Sequence, residues 1–304
     1  MAETQILGQL ATEKVDGRSQ SLDALSSLEF AKLMNAFDRE AADAVEQALP
    51  VIAQVIEQAS ARMRKGGRLI YLGAGTSGRL GVLDASECPP TFGAPPELVQ
   101  GIMAGGDWAL RHAVEGAEDN ADAGAEDLNN VGASPLDTVV AISASGYAPY
   151  CLGALRHARS VGALAVALSC NTHALTSAKA DLAIEMPTGA EILSGSTRLK
   201  AGTATKMALN MISTGVMVRL GKTYGNLMVD MRATNAKLRD RAVRITGYAT
   251  GLNAPEAQAL LDAAGGEIKV AILMRKAGLT LAEAQKRLEA AEGFVSGALK
   301  DVES

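Results

Sequence analysis

Arg68-Leu69-Ile70-Tyr71-Leu72-Gly73-Ala74-Gly75-Thr76-Ser77-Gly78-Arg79 is the stretch that decides the fold. Arg68 to Leu72 is a short apolar run that does not alternate with polar residues, which suits a strand buried on both faces. Lys65-Gly66-Gly67 stops a helix in front of it, and the glycine-rich segment behind it is a tight turn that opens another. The same unit recurs. Leu98 to Met103, Thr138 to Ile142, Ala163 to Leu168 and Leu182 to Met186 are further short apolar runs, separated by helix-like segments or turn signals. Strands alternating with helices predict βαβ units, hence an α/β fold on a largely parallel sheet.

Outside this core the pattern is helical. Residues 21 to 64 read as helix, with Leu22, Leu25, Leu28 and Phe30 opening an apolar face, and a long helix is predicted from about Lys200 to Leu220. Beyond Thr250 come Ala-rich amphipathic helices without strand candidates. The expected organisation is therefore an N-terminal helical segment, 1–64, packing on the core, an α/β domain, 65–249, and a small helical domain, 250–304.

Composition narrows the function classes. The chain has 304 residues, 48% of them hydrophobic, ample for one large core. Only 3% are aromatic and the net charge is -5, which argues against nucleic-acid stacking platforms and duplex-binding surfaces. Met1-Ala2-Glu3-Thr4-Gln5 lacks a secretion-signal pattern, and no apolar run approaches the roughly 20 residues of a membrane span. Cys88, Cys151 and Cys170 are odd in number and lack metal-ligand spacing, which fits a reducing cytoplasm. Cys88 has no nearby basic partner and reads as an inert thiol. His112, His157 and His173 are isolated, so neither metal nor cofactor is expected.

Gly73 to Gly78 matches G-x-G-x-x-G, but a dinucleotide site wants an acid about 20 positions on, at the end of the next strand. Glu97 precedes that strand, behind Pro95-Pro96, and so lies at the wrong end. A single phosphate fits better. A strand-loop-helix junction offers unpaired N–H groups and the positive end of the helix dipole. Thr76 and Ser77 add hydroxyls, and Gly75 lets an anion approach the backbone. Ser143-Ala144-Ser145-Gly146 repeats the arrangement after the Thr138 to Ile142 strand. Two such loops at strand C-termini can converge over the crevice of an open sheet.

Three segments add charge. Glu87 lies where the helix from the first loop is expected to end, beside Pro89-Pro90, either held over a ligand or solvated. Burial against those prolines is what would keep it protonated. Glu115 and Glu118 follow Val114 and Ala117 on one predicted helical stripe within Trp108 to Asp119, and periodicity does not choose between them. Glu191, Ser194, Ser196, Arg198 and Lys200 suit an anion site at the start of the long helix.

Gly67 through Gly81, Asp84-Ala85-Ser86-Glu87-Cys88-Pro89-Pro90-Thr91, Ala113 through Asp119, Ser194 through Lys206 and Gly225-Asn226-Leu227-Met228-Val229-Asp230 together resemble the N-acetylmuramic acid 6-phosphate etherases, in that family's order. The resemblance implies the sugar isomerase fold, a doubly wound, mainly five-stranded parallel sheet, with a small C-terminal helical domain. It implies a homodimer with sites near the subunit interface, and a phosphosugar as the only partner besides the second subunit. The implied reaction removes the D-lactyl ether of N-acetylmuramic acid 6-phosphate, in peptidoglycan recycling. Glu87 matches the family's proton donor and Glu118 its other catalytic glutamate. Thr76, Ser77, Ser143 and Ser145 fall on the phosphate loops. The chain departs from many relatives at Ala148, where they carry Thr, and Ser143 is the hydroxyl placed to compensate. A phosphosugar isomerase or a non-catalytic phosphosugar sensor would share both loops.

Overall fold

A computed structural model describes residues 8–231 and 235–300. The chain divides into two compact units, Met1–Ser86 with Glu97–Ser213, and Glu87–Pro96 with Thr214–Ser304. The first unit holds a five-stranded, wholly parallel sheet: β1 Leu69–Gly73, β2 Val99–Met103, β3 Thr138–Ile142, β4 Leu164–Ser169 and β5 Leu182–Glu185. Their order is β2-β1-β3-β4-β5. Every residue of β1, β3 and β4 is buried, whereas β2 and β5, at the edges, are partly exposed. The unbroken apolar runs are thus the signature of central strands covered on both faces.

The helices of this unit are α1 Ser27–Met63, α2 Gly75–Phe92, α3 Ala121–Asn130, α4 Pro149–Ser160 and α5 Lys200–Arg219, the last two turns of α2 and of α5 passing into the second unit. The predicted helix from residue 21 begins later. Leu22–Ala24 is a 3-10 turn, and Ser26 starts α1 through a capping box with Glu29, so Leu28 and Phe30 sit in its exposed first turn. Phe37, Ala41, Val45, Ile52 and Val55 form the buried stripe of α1.

Helices α3 and α4 approach backbone to backbone. A Cβ on Gly153 would lie 1.7 Å from the Ala121 carbonyl oxygen, and one on Gly124 would lie 2.0 Å from that of Tyr150. Beneath them Leu128, Cys151, Ala154 and Leu155 join Ile70, Leu72 and Val139 in one core.

At the opposite edge of β1 and β3, Asp137 is buried and accepts four hydrogen bonds, from the Arg68 N, Nε and Nη2 and from the Ser134 N, at 2.7–3.1 Å. Burial acts to raise its pKa, but the Arg68 guanidinium and the two amides outweigh it and hold the carboxyl below the ordinary carboxylate range. A depressed carboxyl contributes stability above its unfolded pKa of about 3.9, lost as pH falls through the lower folded value. Asp137→Asn is expected to cost about 2 kcal/mol at neutral pH by removing the carboxylate from Arg68, which keeps its bonds to the Val131 and Gly132 carbonyls. In thermal melts the gap to the parent chain should close toward pH 2.

The second unit contains α6 Ala236–Thr250, α7 Ala254–Ala263, α8 Ile268–Ala277, α9 Leu281–Ala290 and α10 Val295–Leu299 around a core that includes Leu261, Ile272 and Val295. Capping boxes Asn253/Glu256 and Thr280/Glu283 start α7 and α9. Among the described residues no helix is long and apolar enough to cross a membrane.

Candidate active site

The strand order reverses between β1 and β3, so the crevice of the sheet lies there. Gly73, the last residue of β1, pairs with Ile142, the last of β3. The chains leaving these two residues, Ala74-Gly75-Thr76-Ser77 and Ser143-Ala144-Ser145-Gly146, are the two predicted loops, side by side at the switch point.

The first loop turns at once into α2. This requires glycine at position 78, where a Cβ would lie 2.2 Å from the Gly73 carbonyl oxygen and 2.6 Å from the Met103 sulfur. Thr76 and Ser77 are half-buried in the first turn of α2. A side chain at Gly202 would meet the Thr76 methyl at 3.6 Å, so the start of α5 stands beside this loop. Asp84 on α2 fixes that pairing by accepting from Asn210 and Ser213 of α5.

The second loop is held by its own hydroxyls. Ser143 Oγ accepts from the Gly146 and Ala148 amides at 3.1 and 3.5 Å, and Ser145 Oγ accepts from the Tyr147 amide at 3.2 Å. The two hydroxyls are 3.2 Å apart, Ser143 buried and Ser145 more open. Asn171, in the turn after β4, supports the loop by donating to the Ala144 and Ser145 carbonyls. Sequence reasoning passed over it, because nothing local marks a single Asn as a brace 26 or 27 positions away.

Glu118 reaches the same place by a route that periodicity did not foresee. The predicted helix over Trp108 to Asp119 is instead two 3-10 turns, Asp107–Leu110 and Ala117–Asp119, with an irregular exposed segment between them. Gly116, with φ 72°, is in the left-handed region and ends any helical continuation. Ala117 packs on the core, and Glu118 lies near α4, where its charge adds to burial in pushing the Cys151 thiol up to about 12. A cavity of about 320 Å³ runs from Ala74 and Gly75 past Arg79 and Met103 to Glu115 and Glu118. Both candidate acids of that segment thus line the same cavity as Ala74 and Gly75 of the first loop, whereas Thr76, Ser77, Ser143 and Ser145 are not among its lining residues.

Glu87 behaves differently from expectation. Helix α2 does not end there but continues through Pro89 and Pro90 to Phe92. The prolines remove two helical N–H donors without stopping the helix. Glu87 is exposed, so the expected burial against them is absent in the single chain. Leu83, one turn earlier on the same face, is also exposed, at 51%. Cys88 is buried, and none of the three cysteines forms a disulfide.

In the stretch leading to α5, both oxygens of the buried Glu191 accept the Lys200 and Ala201 amides, at 3.0 and 2.9 Å. Burial raises its pKa, against the lowering effect of those amides. The Lys200 ammonium is buried too, 2.6 Å from Glu40 and 4.9 Å from the centre of the Phe37 ring. Both groups are committed within the chain, whereas Ser194 and Arg198 are exposed and Ser196 is half-buried.

The family matches assign this parallel sheet to the SIS class of domain. Residues 121–215 match the SIS domain, and residues 51–159 match the glucokinase regulatory protein N-terminal SIS domain. The chain belongs to the N-acetylmuramic acid 6-phosphate etherase family. It is 52% identical to the N-acetylmuramic acid 6-phosphate etherase of Serratia proteamaculans (strain 568) over 96% of this chain and 99% of that one. Identity to the protein of the same name from Salmonella agona (strain SL483) is also 52%, over 97% and 99%. Among solved structures, a phosphoheptose isomerase from Francisella tularensis is similar with a TM-score of 0.48 and 16% identity, over 63% of this chain and 98% of that one.

Proposed function

We infer that this chain is an N-acetylmuramic acid 6-phosphate etherase, releasing D-lactate and leaving N-acetylglucosamine 6-phosphate in amino sugar recycling. The observation that supports the site assignment is the cavity that Glu118 lines together with Ala74 and Gly75, the residues just before Thr76 and Ser77. A phosphate at Thr76, Ser77 and Ser145 would anchor the sugar by a group remote from the ether, and the bound geometry does the rest.

An ether at C3 is a poor leaving group. Opening of the ring exposes a C1 aldehyde, which acidifies the C2 hydrogen. In our reading Glu118 removes that proton and the electron pair forms the C2–C3 double bond as the C3–O bond breaks. Glu87 gives its proton to the departing lactate oxygen. Water then adds at C3, losing a proton to Glu87, while C2 regains one from Glu118. The products balance the substrate plus one water.

Glu87 is eleven helical residues beyond Thr76, a rise of about 16 Å. It is exposed beside the exposed Leu83. This favours a homodimer in which that face of α2 is covered by a second copy and each Glu87 serves the partner's cavity. A reducing cytoplasm suits the three buried thiols. The direct test is turnover in deuterated water. Elimination and hydration predict one deuterium at C2 of the product with stoichiometric D-lactate. In oxygen-18 water the C3 hydroxyl of the product should carry the label; an unlabelled C3 oxygen would exclude the elimination, and absence of lactate would exclude the etherase.

A further inference from the structure

Arg79 lies one turn beyond Thr76 on α2, and its side chain leaves the helix to clasp the segment that carries the acids. Its Nε donates to the Leu110 carbonyl at 2.9 Å, and its Nη2 donates to those of Ala109 and His112 at 2.7 and 3.1 Å. Ala109 buries one end of the clasped segment, and the Trp108 carbonyl accepts from the Arg111 and His112 amides. Residues 111–116 are exposed, and glycines at 105, 106 and 116, all with φ near 70–85°, bracket it. On its outer side the Trp108 and His112 rings stack 3.6 Å apart at 9°. Trp108 is 67% exposed and is the chain's only tryptophan.

We propose that Arg79 is the positioning residue that ties the phosphate-binding helix to the Glu115–Glu118 segment, so that an anchored phosphosugar meets Glu118 at a fixed distance. This deepens the etherase reading and rests on it. A guanidinium suits the task because its rigid fork of donors can satisfy several carbonyls at once. Three carbonyls that would otherwise face water or the cavity converge on one side chain, and among the described residues no other side chain donates to them. The clasp acts through geometry, so its loss should affect the chemical step and spare phosphate affinity.

The test compares Arg79→Ala and Arg79→Lys with the parent. Lactate release is expected to fall about 10- to 100-fold in kcat, the range for a misplaced reacting group. Dissociation constants for inorganic phosphate and for N-acetylglucosamine 6-phosphate should be unchanged, as should the melting temperature. Added guanidinium should restore part of the Arg79→Ala rate. Fluorescence anisotropy of Trp108 should drop in both variants, a readout that needs no turnover and so survives failure of the etherase reading. Lysine keeps the charge but presents a single ammonium that cannot span three carbonyls, and it decides the matter alone if the alanine variant does not fold. Phosphate affinity falling as steeply as kcat would make Arg79 a direct ligand and overturn the proposal. Unchanged kcat or unchanged anisotropy would overturn it too.

Discussion

Glu118→Gln and Glu87→Gln should each lower D-lactate release from N-acetylmuramic acid 6-phosphate by about 10²- to 10⁴-fold, the ordinary worth of a positioned proton-transfer group. The amide keeps the shape of each side chain, so binding of N-acetylglucosamine 6-phosphate should change little. The sharper result comes from combining the variants. If each site takes Glu118 from one chain and Glu87 from the other, a mixed dimer of the two variants has one site with both amides and one with both acids. Co-expression with random pairing then yields about a quarter of the parent activity from two inactive parents, as two-fold symmetry requires. If both acids of a site come from one chain, every mixed dimer is inactive. The exposure of Glu87 and Leu83 on α2 favours the first outcome.

Gly153→Ala is the substitution expected to damage the fold most. The added methyl would lie 1.7 Å from the Ala121 carbonyl oxygen, and that oxygen belongs to helix backbone that cannot swing aside. Helices α3 and α4 must part, which opens the core over Leu128 and Leu155. Overpacking of this kind costs about 3 kcal/mol or more. The melting temperature should fall by roughly 6–12 °C for a chain of this size. A neutral result would mean that the two helices are not in backbone contact. Gly124→Ala, at 2.0 Å from the Tyr150 carbonyl, should behave alike.

Much of this was legible in the sequence because central parallel strands carry an unbroken apolar run, which local composition reveals. Both loops were visible for the same reason, each following such a run directly. Strand order was not legible, since nothing in Leu98 to Met103 says that β2 takes the outer side of β1 and leaves β3 inside. The partly exposed pattern of β2 is a consequence of that order. The helix expected over Trp108 to Asp119 fails because alanines and a plausible stripe weigh less than Gly116 in the left-handed region and a guanidinium holding three carbonyls. The end of α2 was misplaced because two prolines were read as a stop, whereas each removes one helical N–H and the helix runs on through both to Phe92. Glu191 and Lys200 suggested an anion site because a helix start rich in polar groups looks the same whether its partner is a ligand or the chain's own carboxylate.

The pairing of Leu69 with Thr138 also bears on how the chain acquires its structure. These neighbours are 69 positions apart, and β2 with two helices must be made or looped out before they meet. Such closure is entropically slow, and rates fall as the separation of contacting residues grows. Helices α7 to α10, started by Asn253/Glu256 and Thr280/Glu283, depend on neighbours a few residues away. Contacts so local close quickly, while the crevice between β1 and β3, although translated before them, waits for its most distant partners.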